Sequence, residues 1–424
     1  MSSDPGLPSQ ALILCGGMGT RLRPLTDTTP KPMVEVGGRP FLEYLLEQLC
    51  EQGIARFVLA TGYLGEQVSD HFGAGSRWGW EIRYSHGPVD WDTGRRLYEA
   101  AEMLDERFVL MYSDNFAPFD LEALSLHHHA GGRAITVTLK DRVRGNVAYE
   151  EEAGITAYDP ARGGEGLAHV EIGYAVVERD EILGILSTVK GQPDVSFSEV
   201  LALAATDGRL SGFPTLGPYY SISDPTRLEQ TAEYLAPKRI LLLDRDGTIN
   251  KKRGPGEYVE TWDDFQFIPE TIDALRSLSS EGFEFIVITN QAGVALGLVD
   301  EVDVDRIHKN MTRELGRLGI EVLDVYVCPD HWESGSLMRK PAPGMFFLAS
   351  NEHCFRLDRV LYVGDDVRDC EAAAAAGCGM VLLAEPDEIA DIELPANPRH
   401  RTTHRTLVEA VGIIGEYYEV GERS

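Results

Sequence analysis

Twice in this chain a short apolar run ends abruptly in a loop suited to phosphate. Residues 11–15 (ALILC) lead into Gly16 and Gly17, and residues 239–243 (RILLL) lead into Asp244. Four or five consecutive apolar residues are too few for a helix. They are what a strand covered on both faces requires, and such strands belong to parallel sheets flanked by helices. Two such first strands, roughly 230 residues apart, call for two doubly wound α/β domains, each with ligands at the carboxyl ends of its strands. The 424-residue length has room for both. A helical pattern begins at Asp224 or Thr226 as cap and runs to the break at Pro237-Lys238, so the expected domains are 1–236 and 237–424.

Alternation supports both halves. Strands are expected over 57–61, 108–112 and 134–139, with helices such as 41–50 between them. In the second half, helix 269–282 leads to strand 283–288, and strand 360–363 leads to helix 369–376, whose alanines suit close packing on a sheet. No internal repeat or low-complexity run interrupts this pattern.

The formal net charge is −29, a field that repels nucleic-acid backbones and anionic membranes. Only eight residues are lysine, against 31 arginines, so a lysine at a phosphate-binding position is not there by abundance. Six cysteines without a C-x-x-C pair do not make a disulfide framework, and the start lacks a basic segment and a long apolar run. A cytoplasmic protein that binds neither nucleic acid nor membrane is expected, with a homo-oligomer left open.

In GGMGTRLRPLT (16–26), glycines let backbone N–H groups approach phosphate oxygens. Arg21 offers a bidentate grip, and Lys31, held between Pro30 and Pro32, offers a point charge. This run resembles the sugar-1-phosphate nucleotidyltransferases, in particular the mannose- and heptose-1-phosphate guanylyltransferase branch. The likeness extends through GRPFLEYLLEQL (38–49) and TGYLGEQ (61–67), and more loosely to about residue 230. The resemblance implies a Rossmann-like fold in which Gly16, Gly17, Gly19 and Thr20 bind nucleotide and Arg21 and Lys31 bind the triphosphate and the sugar phosphate. It further implies that Thr93 and Gly94 line the base or sugar pocket and that Asp114 holds Mg²⁺. Three positions depart from that family. Ser221 stands where it carries a second carboxylate, Tyr158-Asp159-Pro160 stands where it has E-K-P, and Asp92-Thr93-Gly94-Arg95-Arg96 replaces its L-G-T-x-G-A. Arg142, Arg144 or Arg162 remain to take the sugar phosphate.

In DRDGT (244–248), two carboxylates two residues apart close a buried strand, a pattern that can divide phosphoryl transfer between a nucleophile and a proton donor. The ligands that would complete a calcium loop are missing. With TNQAGVA (289–295), RKPAPGM (339–345) and VGDDVRD (363–369) following in order, this half resembles the haloacid dehalogenase superfamily. FIPE (267–270) and CPDH (328–331) narrow the likeness to the heptose-1,7-bisphosphate and histidinol-phosphate phosphatases. The resemblance implies Asp244 as nucleophile, Asp246 as acid and base, Thr289 and Lys340 on the phosphoryl group, and Asn290 and Arg339 toward substrate. It also implies Mg²⁺ at Asp244, Asp246 and Asp365, with a backbone carbonyl. The spacing of the motifs leaves no room for a large cap. Ser336 and Met338 replace thiolates at the group's zinc site, so no structural zinc is expected. His127, His128 and His129 lie on a helix expected over 121–130, where adjacent residues do not share a face. They are read as a solvated helix end.

Together these readings give a bifunctional enzyme acting on sugar phosphate and nucleoside triphosphate. It would dephosphorylate D-glycero-D-manno-heptose 1,7-bisphosphate at the 7-position and convert the 1-phosphate to an NDP-heptose, with GTP as the expected donor. A phosphatase with a noncatalytic sugar-nucleotide-binding domain, or a histidinol-phosphate phosphatase, stays open.

Overall fold

A computed structural model describes residues 6–189, 194–254, 256–389 and 401–423. The chain divides into two compact units, Met1–Ala232 and Glu233–Ser424.

The first unit is built on a nine-stranded sheet. Its strands are β1 (Gln10–Cys15), β2 (Arg56–Thr61), β3 (Glu81–His86), β4 (Arg107–Tyr112), β5 (Ile135–Asp141), β6 (Val147–Glu150), β7 (Gly154–Tyr158), β8 (His169–Glu178) and β9 (Leu210–Pro214). The main order is β7-β6-β8-β4-β1-β2-β3, with β5 also pairing β8 and carrying β9. All six residues of β1 are buried, and it pairs in parallel with β2 on one side and β4 on the other. The Gly16 loop therefore leaves a strand with parallel neighbours on both sides, where the crossovers diverge and a crevice opens. Among the helices are α1 (Phe41–Cys50), α2 (Thr93–Ala100), α3 (Leu121–Gly131), α4 (Phe197–Thr206) and α5 (Pro225–Leu235).

The second unit carries a six-stranded parallel sheet of β10 (Ile240–Leu243), β11 (Glu284–Asn290), β12 (Val322–Cys328), β13 (Leu361–Gly364), β14 (Gly379–Leu383) and β15 (Arg401–His404), in the order β12-β11-β10-β13-β14-β15. Strand β10 is buried throughout between β11 and β13, which explains its uninterrupted apolar sequence. Asp244 follows it, and its N–H donates to the Val363 carbonyl at 2.8 Å. Helices α6 (Pro269–Ser280), α7 (Glu301–Arg317), α8 (Gly344–Glu352), α9 (Val367–Ala376) and α10 (Leu407–Arg423) belong to this unit. The expected alanine packing is present: Ala372, Ala373 and Ala376 are buried where α9 lies on β13 and β14. Helix α9 starts two residues earlier than expected because Asp366 caps it.

The three consecutive histidines require a correction. They lie on α3, but His128 is only 2% exposed, with Nδ1 2.8 Å from Thr136 Oγ1 and Nε2 3.1 Å from Glu178 Oε1. Burial lowers its pKa against the opposing pull of Glu178. Strand β5 covers one side of the helix, which three adjacent histidines could not reveal.

Candidate active sites

In the second unit, Asp244 is joined by side chains from three other segments. Lys340 Nζ donates to Asp244 Oδ1 at 2.7 Å, to Asp369 Oδ1 at 2.8 Å and to the Tyr362 hydroxyl at 2.6 Å. Asn290 fixes the lysine's main chain: its Nδ2 donates to Lys340 O at 3.0 Å, and its Oδ1 accepts from Lys340 N at 3.1 Å. The Asn290 amide, expected to face substrate, is thus engaged in holding Lys340. Burial pushes the Asp244 carboxyl up to about 7, with Lys340 opposing and Asp369 and Asp246 reinforcing.

Asp246 is the ionised member of the pair. Burial raises it, but the Arg245 guanidinium and donors from Asn250 and Gln291 together hold it below its usual range. Its Oδ2 accepts from Arg245 Nη2 at 2.7 Å and Gln291 Nε2 at 2.8 Å, and its Oδ1 accepts from Asn250 at 2.9 Å. Arg245 is 1% exposed and also donates to His308 Nε2 at 2.9 Å. Burial, then the neighbouring guanidinium, push His308 down to about 3, so the imidazole is neutral and accepts this bond.

The metal-capable carboxylates differ from the expected set. Asp244, Asp365 and Asp369 each bring an oxygen within 4.8 Å of the others. The Asp246 carboxylate is instead bound by Arg245, Asn250 and Gln291. Asp365 Oδ2 accepts from Lys252 Nζ at 2.8 Å, while its buried Oδ1 has no hydrogen-bond partner. Asp369, the last residue of the fourth motif, carries Lys340 and the Tyr362 hydroxyl on one oxygen and the Asp366 N–H on the other. Thr289 Oγ1 accepts from Gln291 at 2.8 Å, leaving its proton to donate. Asp244, Asp246, Thr289, Lys340, Asp365 and Asp369 open into a cleft of about 700 Å³ that Lys252, Arg253, Arg339 and Arg368 also line.

Gly247 is required here on two grounds. Its φ is +96°, and a Cβ would lie 2.1 Å from Asp365 Oδ2. Gly247→Ala should therefore displace Asp365 and weaken binding of a divalent cation by these carboxylates. Calorimetric titration with Mg²⁺ checks this.

In the first unit, Gly17, Thr20 and Arg21 lie exposed on the loop after β1. Gly16 is buried, and a Cβ there would fall 2.2 Å from the Arg96 guanidinium. Arg96, which carried no assigned role, donates to Thr61 O at 2.7 Å and Pro88 O at 2.6 Å, tying together the loops that flank the glycines. Thr26 Oγ1 donates to Gly19 O at 2.9 Å. Lys31 forms an ion pair with Asp114, so these two expected site residues do meet. Thr93 and Gly94 are engaged internally: Thr93 Oγ1 accepts from Phe197 N at 2.6 Å, and Gly94 N donates to Val195 O at 2.8 Å. Ser221 pairs with Asn115 in a two-residue ladder, and Ile222 N donates to Asp114 O at 3.0 Å. Glu171, not singled out by sequence, is pushed up to about 7 by burial, against donors from Gly173 and Tyr158.

A parallel sheet that delivers an aspartate, a lysine and two further carboxylates to one cleft defines a phosphatase of the haloacid dehalogenase type, joined in this chain to a nucleotidyltransferase-like unit. Residues 10–151 match the Nucleotidyl transferase family and residues 239–377 the Polynucleotide kinase 3 phosphatase family. Over 151 residues the chain is 38% identical to D-glycero-beta-D-manno-heptose-1,7-bisphosphate 7-phosphatase of Yersinia pestis, covering 34% of this chain and 78% of that protein. The chain belongs to this heptose-bisphosphate phosphatase family. Among solved structures it is similar to D,D-heptose 1,7-bisphosphate phosphatase from B. bronchiseptica complexed with magnesium and phosphate, at 29% identity and a TM-score of 0.39, covering 42% of this chain and 98% of that one. It is also similar to HddC from Yersinia pseudotuberculosis, at 20% identity and a TM-score of 0.45, covering 54% and 100%. Among the described residues, no helix is long and apolar enough to cross a membrane.

Proposed function

We propose that this chain acts twice on one sugar. The second unit removes the 7-phosphate of D-glycero-D-manno-heptose 1,7-bisphosphate, and the first transfers a nucleotidyl group, from GTP, to the resulting 1-phosphate. The observation that carries the phosphatase reading is the placement of Asp244 at the end of β10, against Lys340 and beside the ionised Asp246.

Asp244 attacks phosphorus, the bond from phosphorus to the C7 oxygen breaks, and Asp246 gives the leaving oxygen a proton. Water then attacks the aspartyl phosphate, Asp246 takes its proton, and phosphate leaves. The three donors on Asp246 prepare it for this second step. For the first, a phosphate dianion arriving beside it raises its affinity for the proton. Lys340 and the Thr289 hydroxyl hold phosphoryl oxygens, and Asn290 positions Lys340.

The donor set fits a divalent cation: carboxylate oxygens converge, and one of them, Asp365 Oδ1, is buried without a donor. Asp244 and Asp365 would hold Mg²⁺, with Asp369 adding its charge. When bound, the ion would favour ionised Asp244 and offset phosphoryl charge. Of the cations lining the cleft, Lys252, Arg253 and Arg368 are paired with Asp365, Asp264 and Asp366, and Arg339, which donates to Asp330 O, is the one placed to meet a second phosphate.

The test is phosphate release from the heptose bisphosphate and from histidinol phosphate, each with Mg²⁺ or with EDTA. Release from the bisphosphate with Mg²⁺ alone is expected. Preference for histidinol phosphate, or undiminished release in EDTA, contradicts the reading.

A further inference from the structure

Asp114 does not stand in a protein-built cluster of metal ligands among the described residues. The Asp114 carboxylate is in an ion pair with Lys31. The hydroxyl of Ser221, beside it on the two-residue ladder, accepts from Arg227 Nη1 at 3.2 Å, and the same nitrogen lies 3.4 Å from Ser223 Oγ. Among the described residues, no group of three metal-capable ligands includes Asp114. Arg227 sits near the start of α5, its N–H held by Asp224 Oδ1 at 3.0 Å, and its side chain is 40% exposed. Two serine hydroxyls orient the guanidinium through Nη1, Asp224 forms an ion pair with it at Nε (3.5 Å), and Nη2 has no partner among the described residues.

We infer that Arg227, with Lys31, supplies at this site the positive charge that binds substrate phosphate, in place of a divalent cation coordinated by the protein. The inference rests on the nucleotidyltransferase reading of the first unit. A guanidinium is suited to this task because its N–H groups match phosphate oxygens in pairs and its charge is fixed at all working pH values. The shared ligand chemistry is a phosphate group, from either the nucleoside triphosphate or the sugar 1-phosphate.

The test is calorimetric titration of the full chain with ATP, GTP, CTP or UTP, and separately with mannose 1-phosphate, each in Mg²⁺ and in EDTA. Wild-type protein should bind one triphosphate in EDTA within about threefold of its affinity in Mg²⁺. Arg227→Ala should weaken binding in EDTA about tenfold or more, while Arg227→Lys should retain part of it and shows that the fold survives. Loss with the triphosphate assigns Arg227 to that group, and loss with mannose 1-phosphate assigns it to the sugar phosphate. Wild-type binding that vanishes in EDTA, or binding of both probes that ignores Arg227→Ala, overturns the inference alone. Absence of binding by every probe in both buffers overturns the nucleotidyltransferase reading and the inference with it.

Discussion

Asp244→Asn should lower phosphate release from the heptose bisphosphate by about 10³-fold or more, the scale on which removing a covalent nucleophile acts. The amide cannot form the acyl phosphate, and the neighbouring carboxylates are engaged elsewhere: Asp246 by Arg245, Asn250 and Gln291, Asp369 by Lys340 and Tyr362, and Asp365 by Lys252. The fold should survive, because the substitution removes a carboxylate that burial already pushes up to about 7. Nucleotide binding by the first unit should be unchanged. Steady-state phosphate release together with nucleotide titration checks both parts, and a variant retaining substantial phosphatase activity would remove Asp244 from its role.

Lys340→Met should act on stability as well as turnover. It leaves Asp244 and Asp369 buried without their shared cation, and breaking such a pair costs on the order of 3–5 kcal/mol. The double variant Asp244→Asn with Lys340→Met should recover part of that loss, because one of the stranded charges is gone. The pH dependence carries a definite sign. A carboxylate raised from 3.8 to about 7 binds a proton in the native state that it lacks when unfolded. Its contribution to the stability of the metal-free protein therefore falls as pH rises across that window. Denaturant unfolding in EDTA should show this fall in wild-type protein and a flatter profile in Asp244→Asn. Equal slopes would contradict the burial of the charge.

Much of the phosphatase site was legible because it is local. An apolar run that stops at Asp244 places that residue at a strand end, and the next carboxylate follows two residues later. Thr289 and Lys340 stood within motifs of fixed order. Contacts across the fold were not legible. Nothing near His308 marks it as the partner of Arg245, and Arg245 itself read only as the residue between two aspartates. Asp369 carried a signal that was not used, since its spacing from Asp366 is that of a helix cap and its reciprocal partner. In the first unit the glycine loop and the candidacy of Lys31 and Asp114 were legible in the sequence, whereas the ion pair between those two was not. The engagement of Thr93 and Gly94 by residues 195–197 depends on how α2 meets α4. Ser221 was legible as a missing carboxylate, whereas its bond to Arg227, six residues on, was not, because serine has many uses.

The central claim is that one chain carries both reactions in series, and the direct measurement is a single incubation of the full chain with heptose 1,7-bisphosphate, Mg²⁺ and GTP. Phosphate, pyrophosphate and nucleotide sugar are followed together. The account predicts that phosphate appears first, that pyrophosphate and an NDP-heptose follow in equal amounts, and that Asp244→Asn stops all three from the bisphosphate while leaving pyrophosphate release from heptose 1-phosphate intact. Phosphate release without pyrophosphate from GTP, ATP, CTP or UTP, even when heptose 1-phosphate is supplied, would contradict it.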